Sequence, residues 1–290
     1  MIISGIPLVC AVVSGLANTV VAVTVKGAQH YDCRPSRFGA LAMTAAGAIS
    51  LVVALTQPGS WWDWHLWTLG IVLGLLCYGT VTATVLANHY GPPSLPWAMA
   101  NLGLIVPIGL AAVFLGEALR WTDALCLIVF GGMLLAFVRG TARAGDVRAD
   151  RRLTLILLLA MVLLVNGTLM FGFKLNAFLP AGVNLSALSP IMYAAGASLS
   201  WLDEWRRPRQ QFRWDQIAWG VGMGLGNGTA VLLLLVAMQL PASVAFPVIQ
   251  GVSFLGGIVA TALIFRERLN PWKSLGIGLG LAVILLAVWR

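Results

Sequence analysis

A chain of 290 residues that is 59% hydrophobic and 10% charged cannot cover a water-exposed surface of its size, because soluble proteins carry about 25% charged residues. With a mean hydropathy of +0.90, it is excluded from the soluble enzymes and soluble binding modules and reads as an integral membrane protein. The net charge of +8 does not call for a nucleic-acid partner, since the basic residues fall in short clusters between apolar runs, where membrane orientation explains them.

The first apolar run, at about 3–25, lacks a basic n-region and is too long for a signal-peptide core, so it reads as a first span. Nine more follow at about 38–56, 66–88, 95–115, 121–139, 153–174, 183–201, 215–238, 242–265 and 271–289, each near the ~20 residues a bilayer requires. Cys10, Cys33, Cys77 and Cys126 form no CxxC and no metal spacing, so no disulfide framework, metal or cofactor is expected. The fold class is therefore all-α, with ten transmembrane helices. The most polar connector, RGTARAGDVRADRR at 139–152, divides them. Residues 1–139 form one five-helix unit, 140–152 a basic linker and 153–290 a second five-helix unit.

Fifteen of the eighteen lysines and arginines lie in the connectors after the odd-numbered spans. Arg120, Lys174 and Arg290 are the remainder. The positive-inside rule then places the odd connectors in the cytoplasm and both termini outside. The two units consequently enter the membrane from opposite sides, as inverted repeats would. Sequence echoes support a duplication. Gly70 and Gly74 recur as Gly220 and Gly224, and Glu117-Ala-Leu119 recurs as Glu267-Arg-Leu269, all shifted by 150. Asn18 and Lys26 recur as Asn166 and Lys174, shifted by 148.

The stretches FLGEALRWTDALCLIVFGGMLLAF (114–137) and IFRERLNPWKSLGIGLGLAVILLAV (264–288) each place a glutamate at a helix end, then a polar turn, then a glycine-bearing helix. In this the chain resembles the drug/metabolite transporter superfamily, in its ten-helix branch of two EamA-type repeats. The resemblance implies a secondary transporter working by alternating access, with efflux favoured over uptake, and leaves the substrate open. The chain departs from the small four-helix relatives in having no carboxylate in its first helix.

All ten carboxylates fall in connectors or within about a turn of a helix end, so no deep glutamate is available for proton coupling. The middle of the bilayer holds neutral polar groups instead: Ser14 and Asn18, Tyr78, Asn101, Asn166 and Thr168, Tyr193, Asn227, and Gln250 with Ser253. Together with Trp97 they make a candidate site for a polar or zwitterionic, amino-acid-like small molecule, or else they serve as interhelical glue. Lys26 and Lys174, at opposite faces, read as gating charges or as side chains snorkelling to the interface. Glu117 and Glu267 read as gates, or as caps paired with Arg120 and Arg268. Pro107, Pro190 and Pro247 are candidate kinks. The helix-8 segment WGVGMGLGNGT (219–229) is either a packing surface or a flexible one. The tryptophans of SWWDWHLW (60–67) form an interfacial belt.

The partners expected are a small-molecule substrate and membrane lipid, with the chain a monomer or weak homodimer in a bacterial inner membrane. A flippase for a lipid-linked sugar and a non-transporting receptor or structural subunit are the alternatives. The chain carries no HExxH, GxSxG or paired deep carboxylates, so enzymatic activity is not expected.

Overall fold

The computed structural model describes residues 5–31, 33–88, 90, 94–141, 152–207, 211, 213–264, 266 and 271–288. Among these residues the chain forms eleven α-helices: α1 (Gly5–His30), α2 (Pro35–Thr56), α3 (Trp64–Asn88), α4 (Ser94–Leu102), α5 (Ile105–Leu115), α6 (Trp121–Thr141), α7 (Arg152–Leu175), α8 (Leu188–Trp205), α9 (Trp214–Ala237), α10 (Ala242–Ile264) and α11 (Pro271–Val288). Single 3-10 turns at Asn176–Phe178 and Leu185–Ala187 precede α8. Eight helical segments are long and apolar enough to cross a membrane, α4 and α5 together making one of them.

Helix is the form such sequences must take in hydrocarbon, because every backbone group is satisfied within its own segment. The outward faces fit that solvent. On α1, Ile6, Val9, Val13, Leu16 and Val20 recur every three to four residues and are 41% to 73% exposed, while Ala11 and Ser14 on the other side are buried. A stripe of that kind facing water would drive aggregation. This is the construction of a multi-pass membrane protein.

Helices from the two halves of the chain interleave. α9 packs between α1 and α2, and α3 packs between α7 and α8. α2 and α8 lie on each other, as do α6 and α11; α1 touches α10, and α7 touches α4 and α5. The sequence echoes at 70–74 and 220–224 mark two close contacts among these. A Cβ on Gly70 would meet Ile191 and Leu188 O; one on Gly220 would meet Leu41 and Phe38 O. A Cβ on Gly74 would meet Met192 O, Ala195 and Gly196 N; one on Gly224 would meet Ala42 O, Ala45 and Ala46 N. Every partner in one set is the other set's partner shifted by 150.

The glycine run of α9 is packing surface. At 3.6 residues per turn, its five alternate glycines split into two rows. Gly220, Gly224 and Gly228 admit α2, whereas Gly222 and Gly226 admit Thr24, Val20 and Ala17 of α1. One helix thus receives two neighbours at backbone distance.

Three expectations need correction. The fourth span is two helices, interrupted at Gly103–Leu104. The seventh begins at Leu188 and runs on to Trp205, so Pro190 occupies its first turn, where no intrahelical bond is lost and no kink results. Pro247 does lie inside α10, yet the helix passes through it without interruption. Most of the basic linker, at 142–151, lies outside the described residues.

Alanine at Gly74 or Gly224 should destabilise the folded protein by about 1–3 kcal/mol, because the new methyl would lie 2.5 Å from Met192 O at the first site and closer still to Ala42 O at the second. Gly278, with nothing within 4 Å of its Cβ position, should accept alanine without loss. Thermal unfolding of the purified variants in detergent, followed by size-exclusion chromatography, measures all three.

Candidate functional site

Three asparagines define the interior at mid-span. Asn18 on α1, Asn166 on α7 and Asn227 on α9 each lie on the side of the helix away from its exposed apolar stripe, and each is half-buried. Asn18 and Asn227 have no side-chain hydrogen-bond partner among the described residues. The backbone carbonyl of Asn227 accepts from the hydroxyl of buried Tyr193 at 3.3 Å. Gln250, buried on α10, donates from Nε2 to Met170 Sδ at 3.5 Å, and Met170 is one turn beyond Asn166. Ser14 donates to Ala230 O at 2.8 Å.

Asn166 does different work. Its Nδ2 donates to Ala100 O at 2.7 Å, across the contact between α7 and α4. In a continuous helix that carbonyl would accept from Leu104 N, but Leu104 N turns back to Asn101 O at 3.2 Å, and Val106 N to Gly103 O at 3.0 Å. Pro107 has no N–H to offer Gly103 O. Gly103 and Gly167 sit close enough that a Cβ on either would strike the other helix's backbone, Leu163 O and Gly103 O respectively. The interruption of the fourth span is therefore stabilised by a side chain from the other half of the chain. Asn101 is buried and donates to Trp97 O of its own helix at 2.7 Å.

The structure thus ties Asn166 on α7 to α4, the helix of Trp97 and Asn101, ties Gln250 on α10 to Met170 on α7, and joins Tyr193 to Asn227. Tyr78 is half-buried and continues the row of Gly70 and Gly74 on the α8 side of α3. Ser253 is buried. Thr168 does not belong with them. Two residues beyond Asn166, it is turned to the opposite side of α7, exposed, with its hydroxyl donated to Leu164 O of its own helix. The assembled groups are amides, hydroxyls and aromatic rings, able to read a ligand by hydrogen bonds and unable to balance a net charge. A groove of about 500 Å³ lined by Leu51, Leu55, Gly59, Ser60, Trp61, Trp62 and Trp67 contains none of the candidate residues and lies among the tryptophans of the expected belt.

Charge is confined to the ends of the bundle. Lys174 does not snorkel. It is buried, pairs with Glu117 Oε1 at 2.7 Å and donates to Met238 O at 3.1 Å and Leu240 O at 2.7 Å. Glu117 Oε2 accepts from Ala242 N at 2.7 Å, at the start of α10. Glu117 is accordingly a cap and an ion pair, but its partner is Lys174 rather than Arg120, whose backbone N–H donates to Asp123 instead. One pair thereby satisfies carbonyls at the end of α9 and an amide at the start of α10, groups that a helix leaves open. Lys26 is half-buried near the end of α1, and Glu267 lies outside the described residues.

Sequence reasoning missed the cluster at the opposite end. Arg37 is 3% exposed and bonds Glu204 at 2.9 Å and 3.1 Å, Gln216 Oε1 at 3.2 Å and Gln211 O at 2.8 Å, while Ser36 donates to Glu204 Oε2 at 2.5 Å. It joins the start of α2 to the end of α8 and the start of α9. Asn184 makes the matching tie at the other end of the α2–α8 pair, donating to Ala54 O at 2.8 Å and Gln57 O at 3.1 Å. Both members of each tie are more than 120 residues apart in sequence, so only the helix pairing could have suggested them.

No family model matches the chain, and no curated protein matches it. Among solved structures 27 chains match. One, described only as "Crystal structure of protein", is 18% identical over 96% of each chain with a TM-score of 0.71. At that identity the likeness is one of fold.

Removing one member of the Lys174–Glu117 pair should leave the other's buried or half-buried groups unmatched, at a cost of about 3–5 kcal/mol. Lys174→Met and Glu117→Gln should each lower the unfolding temperature. Their double variant should cost less than the sum of the singles, by roughly 0.5–3 kcal/mol, in a thermal double-mutant cycle.

Proposed function

We propose that the protein is a secondary transporter of a polar, net-neutral small molecule, working by alternating access between two inverted five-helix repeats. The repeat reading takes α4 and α5 together as the fourth span. Moving each of the first five spans to its counterpart in the second five exchanges the helix contacts among themselves: α1–α9 with α7–α3, α2–α9 with α8–α3, and α1–α10 with α7–α4/α5. The pairs α2–α8 and α6–α11 map onto themselves. That exchange supports a pseudo-two-fold relation between the halves, read here as an axis in the membrane plane, and the shared offset of 150 at the glycine contacts supports it too. On this reading both termini face outside, and the chain is akin to the ten-helix EamA-type transporters.

The observation that carries the transport reading is the pair Asn18 and Asn227. They are turned inward, half-buried and, among the described residues, without side-chain hydrogen-bond partners, at the depth where inverted-repeat transporters bind their substrates. An amide held there without a partner is costly, and a ligand that hydrogen-bonds it recovers that cost. The absence of a countercharge among the described mid-span residues favours a ligand with no net charge, an amino-acid-like zwitterion included.

Purified protein in liposomes, offered a panel of labelled zwitterionic and neutral metabolites, should pass at least one class above empty liposomes. For that class Asn227→Ala and Gln250→Ala should lower flux by roughly 3- to 10-fold at an unchanged amount of folded protein. Thr168→Ala, on the outward face, should retain wild-type flux. No flux for any compound, or wild-type flux in both site variants, counts against the proposal.

A further inference from the structure

The two halves match at their glycine contacts and differ at one place. The fourth span is interrupted at Gly103–Leu104, and its counterpart α10 runs unbroken through the equivalent positions, Ser253 and Phe254. Pro107, whose counterpart by the shift of 150 is Gly257, denies Gly103 O its helical donor. Proline alone does not force an interruption, since α10 stays continuous through its own Pro247. The asparagine opposite each helix differs as well. Asn166 takes Ala100 O, the carbonyl that Leu104 N would otherwise occupy. Asn18, its counterpart on α1, has no side-chain partner among the described residues.

Asn18 is nonetheless placed to do the same. Gly15 and Thr19, flanking it on one side of α1, lie against α10. A Cβ on Gly15 would be 2.7 Å from Ile249 O and 2.7 Å from Val252 Cβ, and Gly256 comes up against Thr19 Oγ1. The same offset places Gln250 O where Ala100 O stands in the first half, and it relates Val106, packed on Gly167, to Gly256, packed on Thr19. In this structure Gln250 O lies within a continuous helix, and Asn18 remains without a partner.

We propose that Asn18 and Asn166 are alternate latches of two hinge helices. In the state seen here Asn166 holds the fourth span broken at Gly103 and α10 is whole. In the opposite-facing state Asn166 releases Ala100 O, the fourth span closes, and Asn18 takes Gln250 O as α10 opens at Ser253. The proposal rests on the inverted-repeat transporter reading and adds to it the residues that switch. An amide side chain suits the task, because it replaces a backbone donor in kind and moves no charge through the membrane. The exchange trades one side-chain bond for another at Ala100 O and Gln250 O.

Amide hydrogen exchange on the full chain in lipid nanodiscs tests this without knowledge of the substrate. In the wild type, peptides covering 101–106 should exchange faster than those covering 252–257, which lie in the continuous helix. Asn166→Leu, close in volume and unable to donate, should slow exchange at 101–106 and speed it at 252–257, each by about threefold, the size of a typical interhelical side-chain hydrogen bond. Asn166→Ser, which keeps a hydroxyl too short to span the gap, should act in the same direction should the leucine variant fail to fold. Asn18→Leu should not speed exchange at 252–257. Unchanged exchange in α2 and α8 marks the folded protein. Both segments moving together, neither moving, or Asn18→Leu loosening α10 would overturn the proposal. Absence of flux with the reciprocal change intact would count against transport alone, and flux without the reciprocal change against the latches alone.

Discussion

The structure depends on backbone meeting backbone in a medium that offers no water. At Gly74 and Gly224 a helix from one half approaches a helix from the other so closely that a single methyl would collide with a carbonyl oxygen. In hydrocarbon there is no hydrophobic gain in bringing two helices together, so close van der Waals contact has to hold them, and only glycine and alanine permit it. α3 and α9 carry these rows and are the helices that pass between partners from the opposite half. Because the contacts cross from one half of the chain to the other, neither half completes its own packing.

The same scarcity of water explains the polar groups. A carbonyl released by the interruption at Gly103 has to find a donor, and it finds Asn166. Carbonyls at the end of α9 find Lys174, and the amide that opens α10 finds Glu117. The carbonyls of Ala54 and Gln57, at the end of α2, find Asn184. In each case a side chain from a distant part of the sequence completes a helix end. These side chains therefore fix which helix lies beside which, while the apolar stripes fix only which face turns outward.

Much of this was legible in the sequence because lipid imposes simple rules. Span length, the wide apolar faces and the 150-residue echo of Gly70 and Gly74 follow from hydrocarbon thickness and close packing. The apolar faces and the glycine echo are seen in the structure, while among the described residues eight helical segments rather than ten are long and apolar enough to span. The interruption of the fourth span was not legible. Pro107 hinted at a kink, but Pro247 gives the same hint in a helix that stays whole, and the deciding donor sits on another helix. Lys174 was misjudged for a related reason. At a helix end a lysine can reach water or reach a neighbouring helix's carbonyls, and the sequence does not place Met238 and Leu240 beside it. Thr168 was misjudged because depth alone was used. Two residues from Asn166 along a helix is nearly half a turn, enough to carry a side chain from the interior to the lipid face.

Where the charges lie bears on the transport proposed above. The buried pairs Lys174–Glu117 and Arg37–Glu204 stand at helix ends, where open amides and carbonyls help to solvate them. A charge at the midplane would cost at least ~2.5–3.5 kcal/mol with no such help, and among the described residues none is placed there. On the proposed transport reading, a ligand with net charge would have to meet that cost alone. A neutral or zwitterionic ligand need only exchange its hydrogen bonds with water for bonds to amides such as Asn18 and Asn227. The arrangement thus divides the labour by depth: charges set the ends of the bundle, and neutral amides handle what lies between them.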